Sequence, residues 1–286
     1  MTCFPFLDAI CSATMARNDA VVLPEKASAL DSVRNLDQLP NGKITQQLLC
    51  ACVIAQNVDP QQEGTQLVIT KKTKPYFDMA GFKVNEPTVV QGGHRNNDCC
   101  VVAKTNFGVV VSFRGTISEN DMTDWMLNDG DVKQNCFGNK RGTEEPRFPG
   151  QVHNGFYESA GILWERIKSQ KIYNIHKDDP KKVQKIPSTF VVDEIKKRLT
   201  GHNDQIYITG HSKGGAMATI TACFAATSYD DQIEKAPQQT FTFASPRVGN
   251  DEFAKAFNEE IVQYSFENRD DAVPLIPCRP RTLVGK

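Results

Sequence analysis

The hydrophobic and polar positions along the chain predict strands that alternate with helices. Ile44–Ala55 is apolar on nearly every side, which is typical of a buried helix. The β-rich runs Cys99–Lys104 and Phe107–Phe113 flank Thr105-Asn106, a pair that suits a tight hairpin turn. Gly155–Lys168 has an apolar stripe at helical spacing. Together these patterns predict an α/β fold with a central, mostly parallel sheet flanked by helices.

Shorter runs complete the predicted organisation. Residues 1–40 form an irregular lead-in, residues 41–286 form the α/β domain, and a polar, lysine-rich surface insertion lies near residues 169–188. Residues 130–150 carry glycine, proline and charge without a period, which predicts a loop. Further strands are expected at Leu67–Thr70, Val89–Gln91, Thr240–Ala244 and Val262–Phe266, and further helices at Ala27–Leu39, Ile117–Asn128, Thr189–Leu199 and Asp251–Glu260.

The candidate chemistry lies in one strand–turn–helix segment. Ile206–Thr209 suits a short buried strand, and the small-residue run Ala216–Ala222 suits a helix. Residues 210–214 between them read Gly-His-Ser-Lys-Gly and fit G-x-S-x-G, whose glycines permit a sharp, strained turn. This context indicates a nucleophile elbow with Ser212 as the nucleophile. The alternative is a glycine-rich turn with an incidental serine.

Composition and charge exclude several other classes of function. The chain has 286 residues, 40% hydrophobic and 23% charged, which are ordinary values for a globular protein with a substantial core. Its 33 basic and 34 acidic residues give a net charge of -1, so the overall charge gives no reason to expect binding to nucleic acid. No apolar run approaches the ~18 residues that a transmembrane helix needs.

Cysteine usage bears on the compartment. The nine cysteines are an odd number, and several lie inside apolar runs, as buried free thiols do. No C-x-x-C pair and no Cys/His spacing suited to zinc is present, so we expect neither a metal nor another cofactor. We therefore predict a reducing, cytoplasmic location. The alternative is a secreted enzyme with some cysteines paired, although the N-terminus lacks a basic region and Asp8 interrupts its apolar stretch.

Several blocks in a fixed order resemble the fungal-type, class 3 lipases of the α/β-hydrolase fold. One block alone would be weak evidence, but the blocks follow the order of that family over roughly residues 45–280. They are Val110–Thr116, Asp124-Trp125, Val152–Phe156, Ile208–Gly215, Phe243–Asn250 and Asn268–Pro274.

The resemblance implies roles for particular residues. The backbone amides of Thr116 and Lys213 would form the oxyanion hole, and Asp271 would be the triad acid, with its neighbour Asp270 as the fallback. The family commonly has an apolar residue at position 213. Lys213 would therefore either favour anionic substrates or, as we prefer, extend to solvent. The segment around Trp125 would form a lid helix, with core packing as the alternative.

The histidines are the weak point of the resemblance. By resemblance His153 is structural, and His211 in the elbow orients or packs. His94, His176 and His202 lie in polar stretches and are expected to be solvated. The family's base follows the acid, yet residues 272–286 contain no histidine. Either a continuation of the chain carries the base, or the hydrolase is degenerate, or, least favoured, an upstream histidine replaces it.

These observations predict a serine carboxylic-ester hydrolase that acts on triacylglycerol, monoacylglycerol or phospholipid through an acyl-enzyme. Its partners would be a lipid or other ester substrate and, transiently, a lipid interface. Without a base we expect weak activity at most. The alternative is a catalytically inactive, lipase-like pseudoenzyme or interaction module, and acyl transfer or amide hydrolysis on the same site also stays open.

Overall fold

The architecture is an α/β arrangement with one large sheet. The structure, a computed structural model, describes residues 42–58, 74–82, 87–93, 97–117, 132–134, 137–140, 143–169, 174–175, 183–184, 205–228, 238–268 and 271–276. In chain order its elements are α1 (Gly42–Gln56), α2 (Lys74–Ala80), β1 (Thr88–Gly92), β2 (Asp98–Lys104), β3 (Gly108–Phe113), β4 (Val132–Gln134), β5 (Gln151–His153), α3 (Asn154–Ser169), β6 (Asn174–Ile175), β7 (Val183–Gln184), β8 (Gln205–His211), α4 (Lys213–Ala226), β9 (Gln238–Phe243), α5 (Asp251–Glu260), β10 (Val262–Phe266) and a 3-10 turn at Val273–Leu275.

The main sheet has six strands in the order β1-β2-β3-β8-β9-β10. The pairs β1/β2 and β2/β3 are antiparallel, and β3, β8, β9 and β10 run parallel. Phe113 pairs with Gly210, and His211 pairs with Phe243. The carboxyl ends of β3, β8 and β9 therefore meet at one edge, which is where open α/β sheets bind their ligands. The predicted mostly parallel sheet is confirmed.

Side chains that alternate along the strands divide the core into two clusters, one on each face of the sheet. In β3, Val109, Val111 and Phe113 pack on one face with residues of α3, α4 and α5, whereas Val110 packs on the other with α1. This follows from the two-residue period of a strand. Helix α1 is buried continuously from Gln47 to Ala55, so its predicted all-round burial is confirmed.

Two local predictions are corrected. Residues 130–150 were expected to be loop, but they include β4, which pairs antiparallel with β5. A three-residue strand is too short to show a period, and its pairing depends on a partner further along the chain. The turn at 210–214 is also shorter than expected. Strand β8 continues to His211 and α4 begins at Lys213, so Ser212 alone connects them.

Several predicted features lie outside the described residues. These are the lead-in 1–40, the strand Leu67–Thr70, the helices Ala27–Leu39 and Thr189–Leu199, and nearly all of Ile117–Asn128, of which only Ile117 is described. Of the 169–188 insertion, the described part includes the small antiparallel pair β6/β7. The division of the chain at residue 40 stays a prediction. Within the described residues, no helix combines the length and apolar character needed to cross a membrane.

Candidate active site

Ser212 has a backbone conformation that few non-glycine residues adopt. Its φ is 55° and its ψ is −130°, and among the described non-glycine residues only Ala244 shares a positive φ. Such a conformation costs about 1–3 kcal/mol and persists only where the surroundings impose it. Here Ser212 N donates to the Phe243 carbonyl at 2.9 Å, and Gly215 N donates to the Ser212 carbonyl at 2.8 Å. The strand-to-helix bend that the sequence predicts is therefore present, with Ser212 at its apex and 8% exposed.

The bend is tight enough to exclude a side chain at Gly210. A Cβ atom placed there would fall on the carbonyl group of Gly214, well inside van der Waals contact. Because this neighbour is backbone, it could not move without changing the bend. The first glycine of the motif is thus needed for the approach of β8 to α4.

The segment after β3 lies directly against the elbow. A Cβ atom on Gly115 would stand 2.7 Å from the His211 carbonyl oxygen and 3.6 Å from the Ser212 Cβ. The preceding residue, Arg114, is buried, and its guanidinium donates to the carbonyls of Val58 at 2.7 Å and Asn97 at 2.6 Å. This arrangement brings the Gly115-Thr116 segment to the elbow, as the oxyanion-hole prediction requires.

The expectation that Lys213 extends to solvent is wrong. Lys213 is 8% exposed, and its Nζ lies 3.1 Å from Asp98 Oδ1 in a buried ion pair. Asp98, at the start of β2, is itself 7% exposed. A buried ammonium group needs a charged partner, and the pairing neutralises it. The sequence could not reveal a partner 115 positions away.

Asp271 lies near the elbow, in a turn of its own. Its Oδ1 accepts from Val273 N at 2.9 Å, and its N donates to the Asn268 carbonyl at 3.0 Å. The carboxylate is close enough to His211 to favour that ring's charged form. Burial acts more strongly in the opposite direction and lowers the pKa of His211 to about 4. His211 is therefore neutral at pH 7, which suits a packing residue.

The other predicted residues divide into two groups. His153 is buried, its Nδ1 accepts from Gly155 N at 3.1 Å, and its ring packs on Phe156 with centroids 4.5 Å apart, in keeping with a structural role. Asp270, Trp125, His94, His176 and His202 lie outside the described residues. No group of residues within the described ranges has the composition and proximity of a metal site.

Sequence reasoning missed residues that surround the predicted oxyanion hole. Asp98 and Gln56 carry no motif, and both bond to residues next to the elbow or within it. The one available signal was a polar residue at the boundary of an apolar run, which occurs at both positions. That signal alone does not distinguish a helix or strand terminus from a functional contact.

The mixed sheet, the elbow and the adjoining loop define a member of the α/β-hydrolase fold. Solved structures with this fold include the Lip2 lipase from Yarrowia lipolytica, with a TM-score of 0.58 and 19% identity, covering 82% of this chain and 74% of that one. The Rhizomucor miehei lipase propeptide complex has a TM-score of 0.53 and 18% identity, covering 84% and 65%. The sequence model of the family described as Lipase (class 3) matches residues 110–280. The chain belongs to the class 3 lipase family.

Two curated relatives show the extent of the similarity. The triacylglycerol lipase OBL1 of Arabidopsis thaliana is 29% identical over 196 residues, which are 62% of this chain and 36% of that protein. The phospholipase A1-II 4 of Oryza sativa subsp. japonica is 30% identical over 244 residues, which are 80% of this chain and 57% of that protein. The chain thus spans less than two thirds of the length of either relative.

Proposed function

We propose that the protein is a serine hydrolase that cleaves carboxylic esters of lipids. The observation that carries this proposal is the Ser212 conformation, held at the carboxyl edge of the sheet beside Gly115-Thr116. Membership of the class 3 lipase family supports it. Relatives named as a triacylglycerol lipase and a phospholipase A1 support a lipid ester as substrate, whether triacylglycerol, monoacylglycerol or phospholipid.

In the proposed reaction the Ser212 Oγ attacks the ester carbonyl carbon, and the carbonyl oxygen becomes an oxyanion. The backbone amides of Thr116 and Lys213 would stabilise that charge, and the N-terminus of α4 adds its dipole. The alcohol leaves, an acyl-enzyme remains on Ser212, and water releases the fatty acid. A histidine base would take the Ser212 hydroxyl proton and pass it to the leaving alcohol, and Asp271 would orient that histidine and stabilise its cation. In the family this base follows the acid, and residues 272–286 contain no histidine.

The side chain of Lys213 would not select anionic substrates, because Asp98 neutralises its charge. Substrate recognition would instead be apolar. Ile117 and Leu275 are 40% and 59% exposed, and they adjoin Thr116 and the Asp271 turn respectively. The lipid esters in the names of the relatives support transient contact with a lipid interface.

Hydrolysis of p-nitrophenyl esters tests the proposal. Purified protein should release p-nitrophenol only slowly, because residues 272–286 supply no histidine base. Ser212→Ala should lose that weak activity while its circular dichroism spectrum and melting temperature stay at wild-type values. Equal rates for the two folded proteins would contradict the proposal. That result would favour the alternative reading, a lipase-like pseudoenzyme or interaction module.

A further inference from the structure

Gln56, the last residue of α1, makes two hydrogen bonds to the segment that follows β3. Its Oε1 accepts from the Gly115 backbone N at 3.0 Å. Its Nε2 donates to the Thr116 carbonyl oxygen at 2.9 Å. Both distances are typical of well-formed hydrogen bonds. One side-chain amide thus binds two consecutive residues of the predicted oxyanion segment, across 59 and 60 positions of sequence.

These two bonds enclose one peptide unit. The Gly115 N–H and the Thr116 carbonyl lie on either side of the peptide that joins the two residues, and the Thr116 N–H belongs to that peptide. Because a peptide unit is planar, fixing the groups on both sides restricts its rotation about the chain. The two contacts to Gln56 therefore limit the directions that the Thr116 N–H can take.

The segment also lies close to the elbow. A Cβ atom on Gly115 would lie 3.3 Å from Gln56 Oε1 and 2.7 Å from the His211 carbonyl oxygen. Gly115 is thus packed against both the Gln56 amide and the residue that precedes Ser212. Helix α1 provides a rigid base for the glutamine, since it is buried from Gln47 to Ala55.

We propose that Gln56 is a positioning residue that directs the Thr116 N–H toward the oxyanion formed on the Ser212 substrate. The inference rests on the proposed function and deepens it. A neutral amide fits this position because it offers one acceptor and one donor, as the two bonds require. A carboxylate of the same shape would keep the acceptor, lose the donor and face the Thr116 carbonyl with a negative charge.

The kinetic test compares Gln56→Met with wild type and with a matched control. Gln47→Met is the control, because Gln47 is a more buried glutamine of the same helix, nine residues earlier. Gln56→Met should lower kcat by about 10–100-fold with little change in KM, since a misdirected oxyanion donor acts only on the transition state. Affinity for an alkylboronic acid, which mimics the tetrahedral intermediate, should fall by a similar factor. Gln47→Met should leave both unchanged.

Gln56→Glu adds a readout that a purely structural role would not produce. Its activity relative to wild type should rise as the pH falls toward about 4.3, the ordinary pKa of a Glu carboxyl, because a protonated carboxyl can donate to the Thr116 carbonyl. The ratio should fall as the carboxyl ionises. Taking the ratio at each pH removes the titrations that the two proteins share. A ratio that is independent of pH would argue against the proposed donor.

Hydrogen exchange tests the same contacts without activity. The Gly115 amide should exchange at least tenfold faster in Gln56→Met than in wild type, and at the wild-type rate in Gln47→Met. Unchanged exchange, or normal kcat in an active Gln56→Met enzyme, would overturn the inference. A wild-type protein that hydrolyses no ester yet shows the exchange difference would instead contradict the proposed function, and would leave Gln56 as the residue that orients the segment.

Discussion

At the scale of single residues, the site depends on backbone positions that tolerate no change. Ser212 has a positive φ because Gly210 and Gly214 approach each other across it more closely than any side chain would permit. Two other residues near the elbow, Lys213 and His211, are buried despite their polarity. Lys213 is buried as a cation beside the Asp98 carboxylate, so it should respond to loss of that carboxylate. His211 is buried in its neutral form, so it should respond to a fall in pH.

Replacing Gly210 by alanine should prevent the protein from folding. The new Cβ would meet the backbone of Gly214, and no side-chain movement can relieve such a clash. We expect a loss of stability above about 4 kcal/mol, seen as insoluble protein or a lost thermal transition. Gly161→Ala, within helix α3, is the control. Its Cβ would lie 3.8 Å from the Phe224 ring, which is an ordinary van der Waals distance. That variant should gain about 0.5–1 kcal/mol, and a wild-type melting temperature for Gly210→Ala would contradict the account.

The buried ion pair makes a second prediction. Asp98→Ala should lower the free energy of unfolding by about 3–5 kcal/mol, because it leaves the Lys213 ammonium buried without this carboxylate. Combining Asp98→Asn with Lys213→Met removes both charges and should recover most of that loss. Urea unfolding of the three proteins measures both effects. If the double variant were less stable than Asp98→Ala, the charge pairing would not be the cause.

His211 predicts a pH dependence of stability. Burial lowers its pKa to about 4 in the folded protein, compared with 6.5 as the ordinary value. The unfolded chain therefore binds more protons between these values. The contribution to stability is complete above pH 6.5 and is lost as the pH falls toward 4. Urea unfolding should show a decrease on the order of 2 kcal/mol between pH 6.5 and pH 4.5 from this group. The decrease should shrink in His211→Asn, and an identical pH profile in both proteins would contradict the assignment.

At the scale of elements, the sequence predicts what a local pattern can encode. The β2/β3 hairpin, the buried α1 and the helix Asp251–Glu260 all follow from runs of residues whose period or apolar content is visible in the chain. The bounds of α5 and β10 agree with the prediction residue for residue. Each of these elements is long enough for its own residues to determine it.

Features that depend on distant partners could not be predicted in this way. Strand β4 forms by pairing with β5. The Lys213 side chain is buried because its ammonium group forms an ion pair with Asp98. Gln56 ends a helix whose last turn shows no motif, yet it contacts the segment after β3. The elbow was recognisable because a strained turn demands glycines at fixed spacing. Its supporting side chains were not, because many residue types can occupy a helix end.

At the scale of the whole molecule, the site is assembled from distant parts of the chain. Gln56 bonds to the Gly115-Thr116 segment, that segment lies beside Ser212, and Asp271 lies near His211. They come together because β3, β8 and β9 run parallel and end at the same edge. The residue types of the site are therefore local features of the sequence, whereas their proximity is a property of the sheet.

The reactivity of the cysteine thiols tests whether the core is closed to solvent and reduced. The five described cysteines, Cys50, Cys52, Cys99, Cys100 and Cys223, are buried, and none of them forms a disulfide within the described residues. Burial raises the pKa of Cys99 to about 12, so it holds almost no reactive thiolate at neutral pH. Iodoacetamide should therefore leave these five unmodified in the native protein at pH 7.5. It should alkylate all five in guanidinium without reductant, and a disulfide at any of them would contradict the reduced state that we propose.

The central claim is that the fold holds Ser212 as a nucleophile facing an oxyanion hole. Peptide mapping by mass spectrometry, after exposure to an alkyl fluorophosphonate, tests it most directly. The account predicts one adduct, on the peptide that contains Ser212, and none in a folded Ser212→Ala variant. A folded wild-type protein that stays unmodified at Ser212, or that reacts equally at other serines, would contradict it.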